Sequence, residues 1–309
     1  MNKIIRHLYH QTELGYFLIH PFKSMYDFYR YRLISEKTFL KREFEKKLGY
    51  KLNLENPKTL NEKIQWLKLK DRTPLHTLVA DKYTVRKYIK EKIGAEYLIP
   101  LVYQTRNPLD IKPENLPDFP VIIKTNHDSS IKTIVRDKSK INWHKVRKDL
   151  ARQLKRNYYY QNKEWQYKNI EPRVIVEKLL MDKNGNIPFD YKLHCFNGKL
   201  VFIQVDIDRQ IDHKRNIYDT DWNFINCQWI YKNGDIVEKP KSFDRMHSIA
   251  KTLAQDFYYV RVDLYNLEGE IYFGELTFHS ESGLGAFVPT KWDHNFGNIL
   301  KLPLTKESA

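Results

Sequence analysis

Cysteine is scarce in this sequence. Only Cys195 and Cys227 occur among 309 residues, and no metal-binding spacing links them. A secreted scaffold held by disulfides and a cysteine-ligated metal site are therefore both disfavoured. The amino-terminal stretch also lacks a continuous apolar segment long enough for a signal peptide core or a membrane span. These two absences lead us to expect a soluble, cytoplasmic protein.

The short motifs of the commoner nucleotide-binding and hydrolytic sites are absent too. The sequence has no GxxxxGKS or GxxxxGKT phosphate loop, no GxGxxG after a strand, no HExxH and no GxSxG. Solenoid-period repeats and low-complexity tracts are also missing, which is typical of a globular chain. Any nucleotide site must therefore be built without a glycine loop.

Positive charge is in excess. Lysine and arginine number 53 against 38 aspartates and glutamates, which gives a formal net charge of +15. This excess points to a polyanionic partner, but nucleic acid, an acidic membrane surface, an acidic polymer and nucleotide phosphates all qualify. Residues 1–56 are basic and aromatic, and Ser35 is predicted to cap a helix that ends at Gly49. Such a region would either lie on an anionic membrane surface or pack on the main body.

Residues 57–117 are predicted to be mainly helical. Thr59 and Glu62 form a capping box that opens one helix, and Asp81 is predicted to cap a further helix. The proline-containing run at 108–120 then leads into a different architecture.

A small α/β unit is predicted over residues 118–180. The buried strand 119–125 carries Lys124 near its end, where a lysine must either reach solvent or meet an anion. A second buried strand, 172–180, is interrupted by Glu177.

A larger sheet unit is predicted over residues 181–303, with a tail at 304–309. Asn197-Gly198 is the strongest short signal for a two-residue hairpin turn, so residues 190–209 are predicted to form a hairpin.

Two acids lie inside the last predicted strands, 259–264 and 271–277. A hairpin could bring Asp263 and Glu275 side by side, and because buried acids are costly, such a pair requires a cation between them. Mg²⁺ that accompanies a nucleotide prefers carboxylate oxygens of this kind. The alternative is an outward-facing pair of solvated acids.

Several motifs follow one another along residues 57–287: TLNEKIQWLKL, ADKYTVRKYI, FPVIIKTNH, IVEKLL, DYKLHCFNGK, DTDWN and FGELTFHSESG. This series resembles the teichuronopeptide-biosynthesis branch of the ATP-grasp superfamily, whose members are sometimes labelled polysaccharide-biosynthesis glycosyltransferases. The resemblance implies an α+β ATP-grasp fold with a mainly helical N-terminal part, a small α/β lid subdomain and a larger C-terminal antiparallel-sheet subdomain. It also implies ATP and Mg²⁺ as cofactors.

The resemblance further implies roles for individual residues. The metal ligands would be Asp263, Glu275 and Thr277, with Thr277 where many of these ligases place an asparagine. Lys124 would hold the ATP phosphates, and the other nucleotide contacts would be Lys82, Glu177, Lys178, Leu179, Ser129 and Ser130. The residues that clamp the γ-phosphate or an acyl-phosphate would be Lys192, Arg209 and Arg261.

One turn departs from the family pattern. Where the family usually has glycines in its phosphate-covering turn, this chain has His127-Asp128-Ser129-Ser130. Serine hydroxyls and backbone N–H groups would still cradle phosphate, but the backbone is less free to approach it closely. Asp128 would also repel the nucleotide, so we expect a weakened or altered affinity for ATP.

The resemblance leads to one functional hypothesis and leaves two alternatives open. The hypothesis is an ATP-dependent ligase that joins an acidic sugar of a surface polysaccharide, or its precursor, to an amino acid or amine through an acyl-phosphate. A peripheral contact with anionic membrane is compatible with it, whereas nucleic acid is a disfavoured partner. The first alternative is a glycosyltransferase that uses a DxD motif, at Asp206-Ile207-Asp208 or Asp219-Thr220-Asp221. The second is a non-enzymatic adaptor that binds a polyanion.

Overall fold

The computed structural model describes residues 18–19, 21–22, 25–26, 28–128, 132–208 and 212–304. Its α-helices are α1 (Glu36–Leu48), α2 (Leu60–Lys70), α3 (Pro74–Ala80), α4 (Val85–Lys92), α5 (Trp143–Leu154), α6 (Tyr159–Asn162), α7 (Phe243–Ala254) and α8 (Lys291–Ile299). Its strands are β1 (Leu101–Thr105), β2 (Val121–Thr125), β3 (Thr133–Val135), β4 (Val174–Lys178), β5 (Asp190–Phe196), β6 (Lys199–Ile207), β7 (Lys214–Tyr218), β8 (Phe224–Ile225), β9 (Gln228–Trp229), β10 (Tyr259–Leu267), β11 (Glu270–Thr277) and β12 (Phe287–Val288). Shorter helical turns span Tyr29–Leu33, Ala95–Tyr97, Pro108–Asp110, Pro113–Asn115, Lys138–Lys140, Trp165–Tyr167 and Ser280–Gly283.

Two antiparallel sheets form the frame. The four-stranded sheet has the order β1-β4-β2-β3, and the six-stranded sheet has the order β11-β10-β5-β6-β7-β8. Neighbouring strands run antiparallel in both sheets, and β9 pairs with β12 outside them. The expected α+β class is confirmed, because helices occur together with sheets of antiparallel strands.

The six-stranded sheet has one apolar face and one polar face, because successive side chains of a strand point to opposite sides. On β10, Val260, Val262 and Leu264 are buried in a core that also contains residues of α7. Arg261 and Asp263 alternate with them and therefore belong to the opposite face. The same alternation on β5, β6 and β11 gives this opposite face a row of charged side chains.

Helices cover much of the remaining sheet surface. At one end of the polar face, α2 and α8 pack with Phe202 and Trp229. The four-stranded sheet is covered by α5 through Val146 and Leu150. What stays open is the part of the polar face that lies opposite β2, and a cavity forms there.

The predicted helix boundaries near the amino terminus are mostly confirmed. The Ser35 hydroxyl accepts from the Thr38 N–H, and Gly49 ends α1 in the left-handed region. Thr59 and Glu62 form the predicted capping box of α2. The prediction for Asp81 is wrong, because α4 begins only at Val85 and the Asp81 carboxylate instead accepts from the Tyr83 N–H and the Asn126 side chain.

Both predicted hairpins are present. Asn197 and Gly198, with φ values of 50° and 78°, connect β5 to β6. The β10–β11 hairpin is longer than predicted, because pairing continues to Leu267 opposite Glu270 and leaves only Glu268 and Gly269 in the turn. Both turn residues have positive φ, as a two-residue turn that matches strand twist requires.

Gly297 offers a test of how α8 docks on α2. A Cβ at this position would lie 2.2 Å from the Lys58 carbonyl oxygen and 2.8 Å from the Leu60 nitrogen, which are backbone atoms that cannot simply rotate away. We expect Gly297→Ala to lower the free energy of unfolding by about 1–3 kcal/mol or more, as overpacking does. Urea denaturation would measure the loss. Asn298→Ala, one residue further on the exposed side, is the control; an equal loss in both variants would contradict the packing.

Candidate active site

A cavity of about 400 Å³ lies between the polar face of the six-stranded sheet and strand β2 of the four-stranded sheet. Its lining is strongly but evenly charged. The cationic side chains are Lys82, Lys124, Lys132, Lys192, Arg215 and Arg261, and the anionic ones are Asp128, Asp190, Asp206, Asp263, Glu275 and Glu281. The cationic and anionic groups therefore balance, so the large positive excess of the chain lies outside the cavity.

Asp263 and Glu275 are direct partners across the β10–β11 pair, as the sequence predicted. The Arg261 guanidinium lies between them: its Nε and Nη2 donate to the two Asp263 oxygens at 2.6 and 2.7 Å, and Nη2 donates to Glu275 Oε1 at 3.1 Å. Thr277 Oγ1 also reaches Glu275 Oε1, at 3.3 Å. The cation between the two acids is thus supplied by the protein itself, and the alternative of a solvated outward pair fails for Asp263, which is 3% exposed.

The two carboxyl groups differ in their electrostatics. Burial raises the pKa of Asp263 to about 7, with Asp190 and Glu275 adding to the rise against the pull of Arg261 and Lys192. Burial would also raise the pKa of Glu275, but Lys82 and Arg261 outweigh it and lower that pKa to about 2.

These groups fit a Mg²⁺ ion, since their donor atoms are carboxylate oxygens and Glu275 keeps about a third of its side chain exposed. Among residues 28–128, 132–208 and 212–304, no three His, Cys, Asp or Glu side chains are grouped to hold a metal ion. A Mg²⁺ ion held by Asp263 and Glu275 would complete its coordination with phosphate oxygens and water, as is usual for this ion.

A second charge network crosses β5, β6 and β7. Lys192 Nζ pairs with Asp190 and lies 3.0 Å from Asp206, and Arg215 Nε donates to Asp206 at 2.7 Å. Arg215 Nη1 also donates to Glu281 at 2.8 Å. Burial alone would raise the pKa of Asp206, but Lys192 and Arg215 outweigh it and hold this pKa far below its ordinary value.

On the opposite wall, two lysines face the acids. Lys124 Nζ lies 2.7 Å from Glu177, which also faces Arg86 at 3.4 Å. Lys82 Nζ donates to the Asp128 carbonyl at 2.6 Å and lies 3.6 Å from Glu275 Oε2. Lys82 thereby connects the segment before α4, the turn after β2 and the last hairpin.

Three further predicted nucleotide contacts, Glu177, Lys178 and Leu179, are not among the residues that line the cavity. Glu177 is buried against Lys124, and the backbone N–H groups of Lys178 and Leu179 donate to the carbonyls of Pro100 and Pro120. Because these two N–H groups are already hydrogen-bonded, a nucleotide could bind the backbone of Lys178 and Leu179 only through their carbonyl groups. Their predicted roles stay predictions.

The glycine-poor turn after β2 is anchored by its own first residues. Asn126, His127 and Asp128 are buried, and the Thr125 hydroxyl donates to Asp128 Oδ1 at 2.8 Å. The expected repulsion between Asp128 and a nucleotide stays a prediction. The predicted contacts Ser129 and Ser130, and the predicted clamp Arg209, lie outside the described residues.

Neither DxD motif presents two acids to one site. Asp206 is committed to Lys192 and Arg215, whereas Asp208 is exposed at the end of the strand. Asp219 caps its own turn, where it accepts from the N–H groups of Asp221 and Asn223. Both motifs serve local structure, which disfavours the glycosyltransferase alternative.

Arg215 and Glu281 are among the charged residues of the cavity to which sequence motifs assigned no role. Arg215 lies in an ordinary strand, and Glu281 lies in the FGELTFHSESG motif but carried no predicted role. Strand pairing is the only signal that could have found Arg215, because Asp206 and Arg215 are register partners on β6 and β7.

Comparisons with known proteins agree with this arrangement. A family model described as TupA-like ATPgrasp matches residues 62–301, well over half of the chain. A search of curated proteins finds no match.

Solved structures that are similar to this chain include two ligases and a synthetase. A D-alanine–D-alanine ligase from Bacillus anthracis is 18% identical, with a TM-score of 0.40 over 65% of this chain and 57% of that one. The ATP-grasp ligase PsnB with its minimal precursor is 11% identical, with a TM-score of 0.40 over 66% and 53%. PurK, an N5-carboxyaminoimidazole ribonucleotide synthetase in complex with ADP, is 15% identical, with a TM-score of 0.40 over 72% and 51%. The alignment thus spans little more than half the length of each of these proteins.

Asp206 allows a test of the second charge network. Asp206→Asn removes the carboxylate that Lys192 and Arg215 share, while Asp190 and Glu281 remain as their second partners, and we expect it to cost about 1–3 kcal/mol of stability at pH 7. Because the pKa of Asp206 is lowered in the folded state, its stabilisation is complete above its ordinary pKa of about 4 and declines as the pH falls below it. The deficit should therefore shrink at pH 3.

Urea unfolding at the two pH values would measure this deficit. The exposed Asp208, two residues further along, provides the matched control Asp208→Asn, which should change stability little at either pH. A deficit for Asp206→Asn that is the same at both pH values would contradict the network.

Proposed function

The chain belongs to the TupA-like ATP-grasp family, and we propose that it is an ADP-forming carbon–nitrogen ligase. ATP-grasp enzymes use ATP with Mg²⁺. The observation that carries the proposal is that acidic side chains on one wall of the cavity face lysine side chains on the opposite wall. Carboxylates on neighbouring strands, Asp263 and Glu275, face Lys124 of the other sheet and Lys82 of the segment before α4. A polyphosphate and its magnesium ion need both kinds of group at close range.

The proposed reaction has two steps. The carboxylate of one substrate attacks the γ-phosphorus of ATP, and the bond between this phosphorus and the oxygen that bridges it to the β-phosphate breaks. ADP departs, and the substrate has become an acyl-phosphate. An amine then attacks the acyl carbon, phosphate leaves and the nitrogen loses a proton, which yields an amide. A bound Mg²⁺ would neutralise phosphate charge in the first step.

The charged side chains of the cavity have defined tasks in this proposal. Lys124 and Lys82 hold the phosphates, and Asp263, Glu275 and Thr277 form the metal side. Lys192 and Arg261, with Arg209 outside the described residues, reduce the repulsion between the attacking carboxylate and the γ-phosphate. To contact the substrate, Arg261 must then give up some of its hydrogen bonds to Asp263 and Glu275.

Water would compete with the amine, so the site has to exclude it. We assign this task to residues 118–180, which act as a lid over the cavity. The segment from Lys124 to Thr133 carries the turn that covers the phosphates in this proposal.

The substrate class follows from charge and from the motif series. We propose an acidic sugar of a surface polysaccharide or its precursor as the carboxylate, and an amino acid or amine as the acceptor. The cavity charges balance while the chain carries +15, so the positive excess is left on the outer surface, where it suits an acidic glycan.

The same excess supports a peripheral contact with anionic membrane at the cytoplasmic face. Large apolar side chains near the amino terminus, including Phe22, Met25 and Leu33, are mostly exposed. Among the described residues, no helix has the length and apolar character that crossing a bilayer demands. Contact would therefore be made from the surface.

The nucleotide site is tested by calorimetric titration with ATP in the presence of Mg²⁺. We expect Lys124→Ala to weaken binding about ten- to hundredfold, because a charged hydrogen bond to phosphate is lost. Glu275→Gln should remove the part of the affinity that depends on Mg²⁺. The control is Lys87→Ala, which alters a lysine exposed on α4. Unchanged affinity in both site variants would refute the nucleotide site.

The ligase reaction is tested by ADP release. Wild-type protein with ATP, Mg²⁺, a panel of uronates and a panel of amines should release ADP only when both substrates are present. Nucleoside diphosphate released from a sugar nucleotide without ATP would instead support the glycosyltransferase. Binding of polyanions without any turnover would support the adaptor.

The membrane contact is tested by co-sedimentation with vesicles. Binding should require phosphatidylserine and should weaken at 1 M salt, where the screening length falls to about 3 Å. Phe22→Ser combined with Leu33→Ser should reduce binding, whereas Leu109→Ser, another exposed apolar residue, should not. Equal binding to zwitterionic vesicles would argue against this contact.

A further inference from the structure

The Ser280–Gly283 turn, hereafter the 280–283 turn, has an unusual backbone. Glu281, Ser282 and Gly283 follow one another in the left-handed region, with φ values of 49°, 57° and 61°. Glycine adopts this region freely, but glutamate and serine do so only at a cost that neighbouring structure must offset. The turn is therefore held in place from outside.

Helix α2 supplies the contacts that hold the 280–283 turn. Lys68 Nζ donates to both the carbonyl and the hydroxyl of Ser282 at 2.7 Å. Gln65 Nε2 donates to the carbonyls of Ser282 and Gly283 at 2.8 and 2.7 Å. Gly283 itself packs so closely on α2 that an added Cβ would lie 2.8 Å from Ile64 and from Gln65.

This support includes buried charge. Lys68 is 1% exposed, and the Ser282 hydroxyl that accepts from it donates to Glu164 at 2.9 Å. Burial lowers the pKa of Lys68 to about 8, against the opposite effect of Glu164. Removing a lysine and a glutamate from water is costly, so holding the turn is a better reason for this arrangement than general stability.

The supported residue is Glu281, whose side chain lines the cavity and is 26% exposed. Arg215 holds its carboxylate from the sheet side at 2.8 Å. Arg215 is fixed in turn by Asp206, by the Trp229 carbonyl and by the Tyr231 ring, 4.8 Å from its guanidinium carbon. The backbone of Glu281 is therefore held by α2, and its carboxylate is held by Arg215.

Glu281 lines the same cavity as the predicted metal side but is not paired with its two acids, because its carboxylate is held by Arg215. Arg215 is on β7, three strands from β10 and four from β11. A carboxylate in this position repels phosphate and attracts a cation, and the amine in its protonated form is the one organic cation among the substrates of the proposed reaction.

We propose that Glu281 binds the ammonium form of the acceptor substrate, which then loses one proton to solvent before its neutral nitrogen attacks the acyl carbon, and that Lys68 and Gln65 are positioning residues that act on Glu281 through the 280–283 turn. This inference rests on the ligase function proposed above and assigns its second substrate to a place in the cavity.

The amine site is tested by calorimetric titration of the full chain with glycine, L-lysine and ethanolamine after saturation with ADP and Mg²⁺. At least one of these amines should bind the wild-type protein. Glu281→Gln should weaken that binding about tenfold or more while leaving the affinity for ADP and Mg²⁺ unchanged. Glu281→Asp, which keeps the charge on a shorter side chain, should lose less. Glu281→Gln leaves Arg215 paired with Asp206, so the variant should fold.

The outcomes separate the two proposals. Binding of none of the three amines to the wild-type protein, or undiminished binding to Glu281→Gln, would overturn the role of Glu281. Failure of the wild-type protein to bind ADP and Mg²⁺ would overturn the ligase instead, and the amine titration would then be made without nucleotide.

The positioning role is tested by the double variant Lys68→Met with Glu164→Gln, which removes both buried charges together. Amine affinity should fall about tenfold while ADP affinity stays the same, because only the 280–283 turn loses its support. Lys70→Met, on the exposed side of α2, should change neither. A parallel loss of both affinities in the double variant would indicate a merely structural role and would contradict the proposal.

Discussion

The cavity depends on one constraint: a charge removed from water must be paired within the protein. Strand alternation places acids and bases on the same face of the six-stranded sheet, where solvent reaches few of them. Each described ion pair of this face answers that constraint, from Arg261 between two carboxylates to Arg215 between Asp206 and Glu281. Replacing one member leaves its partner buried and unpaired, which is more damaging than losing the attraction itself. The positions of the site residues are therefore interdependent.

Pairing of this kind also suits ligand binding. A site lined only by lysines would resist folding, and one lined only by acids would repel nucleotide. Here the described charged groups that the ligase proposal assigns to a ligand already have partners in the protein, as Lys124 has Glu177 and Asp263 has Arg261. A phosphate or a metal ion would exchange with those partners instead of entering an unbalanced space. The free-energy cost of binding is then the difference between the ion pairs that break and the ion pairs that form with the ligand. This difference is smaller than the cost of removing one set of unpaired charges from water.

The sequence predicted the local features better than the distant ones. The caps of α1 and α2, the Asn197-Gly198 turn and the pairing of Asp263 with Glu275 all depend on residues close in sequence, and all are present. Arg215 and Glu281 meet only because β7 and the segment after β11 converge in space, and no short motif encodes that meeting. The Lys68 contacts to Ser282 span more than two hundred residues and are equally invisible. The prediction that Asp81 caps a helix was wrong because its carboxylate accepts a hydrogen bond from the Asn126 side chain and not from the first N–H groups of a helix.

The two-residue turn at Glu268 and Gly269 has a consequence for how such a chain can vary in length. Strand side chains repeat every second residue, so inserting or deleting one residue in β10 would exchange its two faces. Arg261 and Asp263 would enter the apolar core beneath α7, and Val262 would enter the cavity. Changes in length are tolerable at the turn itself, beyond Leu267 and before Glu270, where the pairing of the strands has ended. The hairpin tip is thus the place where this part of the chain can lengthen, whereas the strands that lead to it must keep their number of residues.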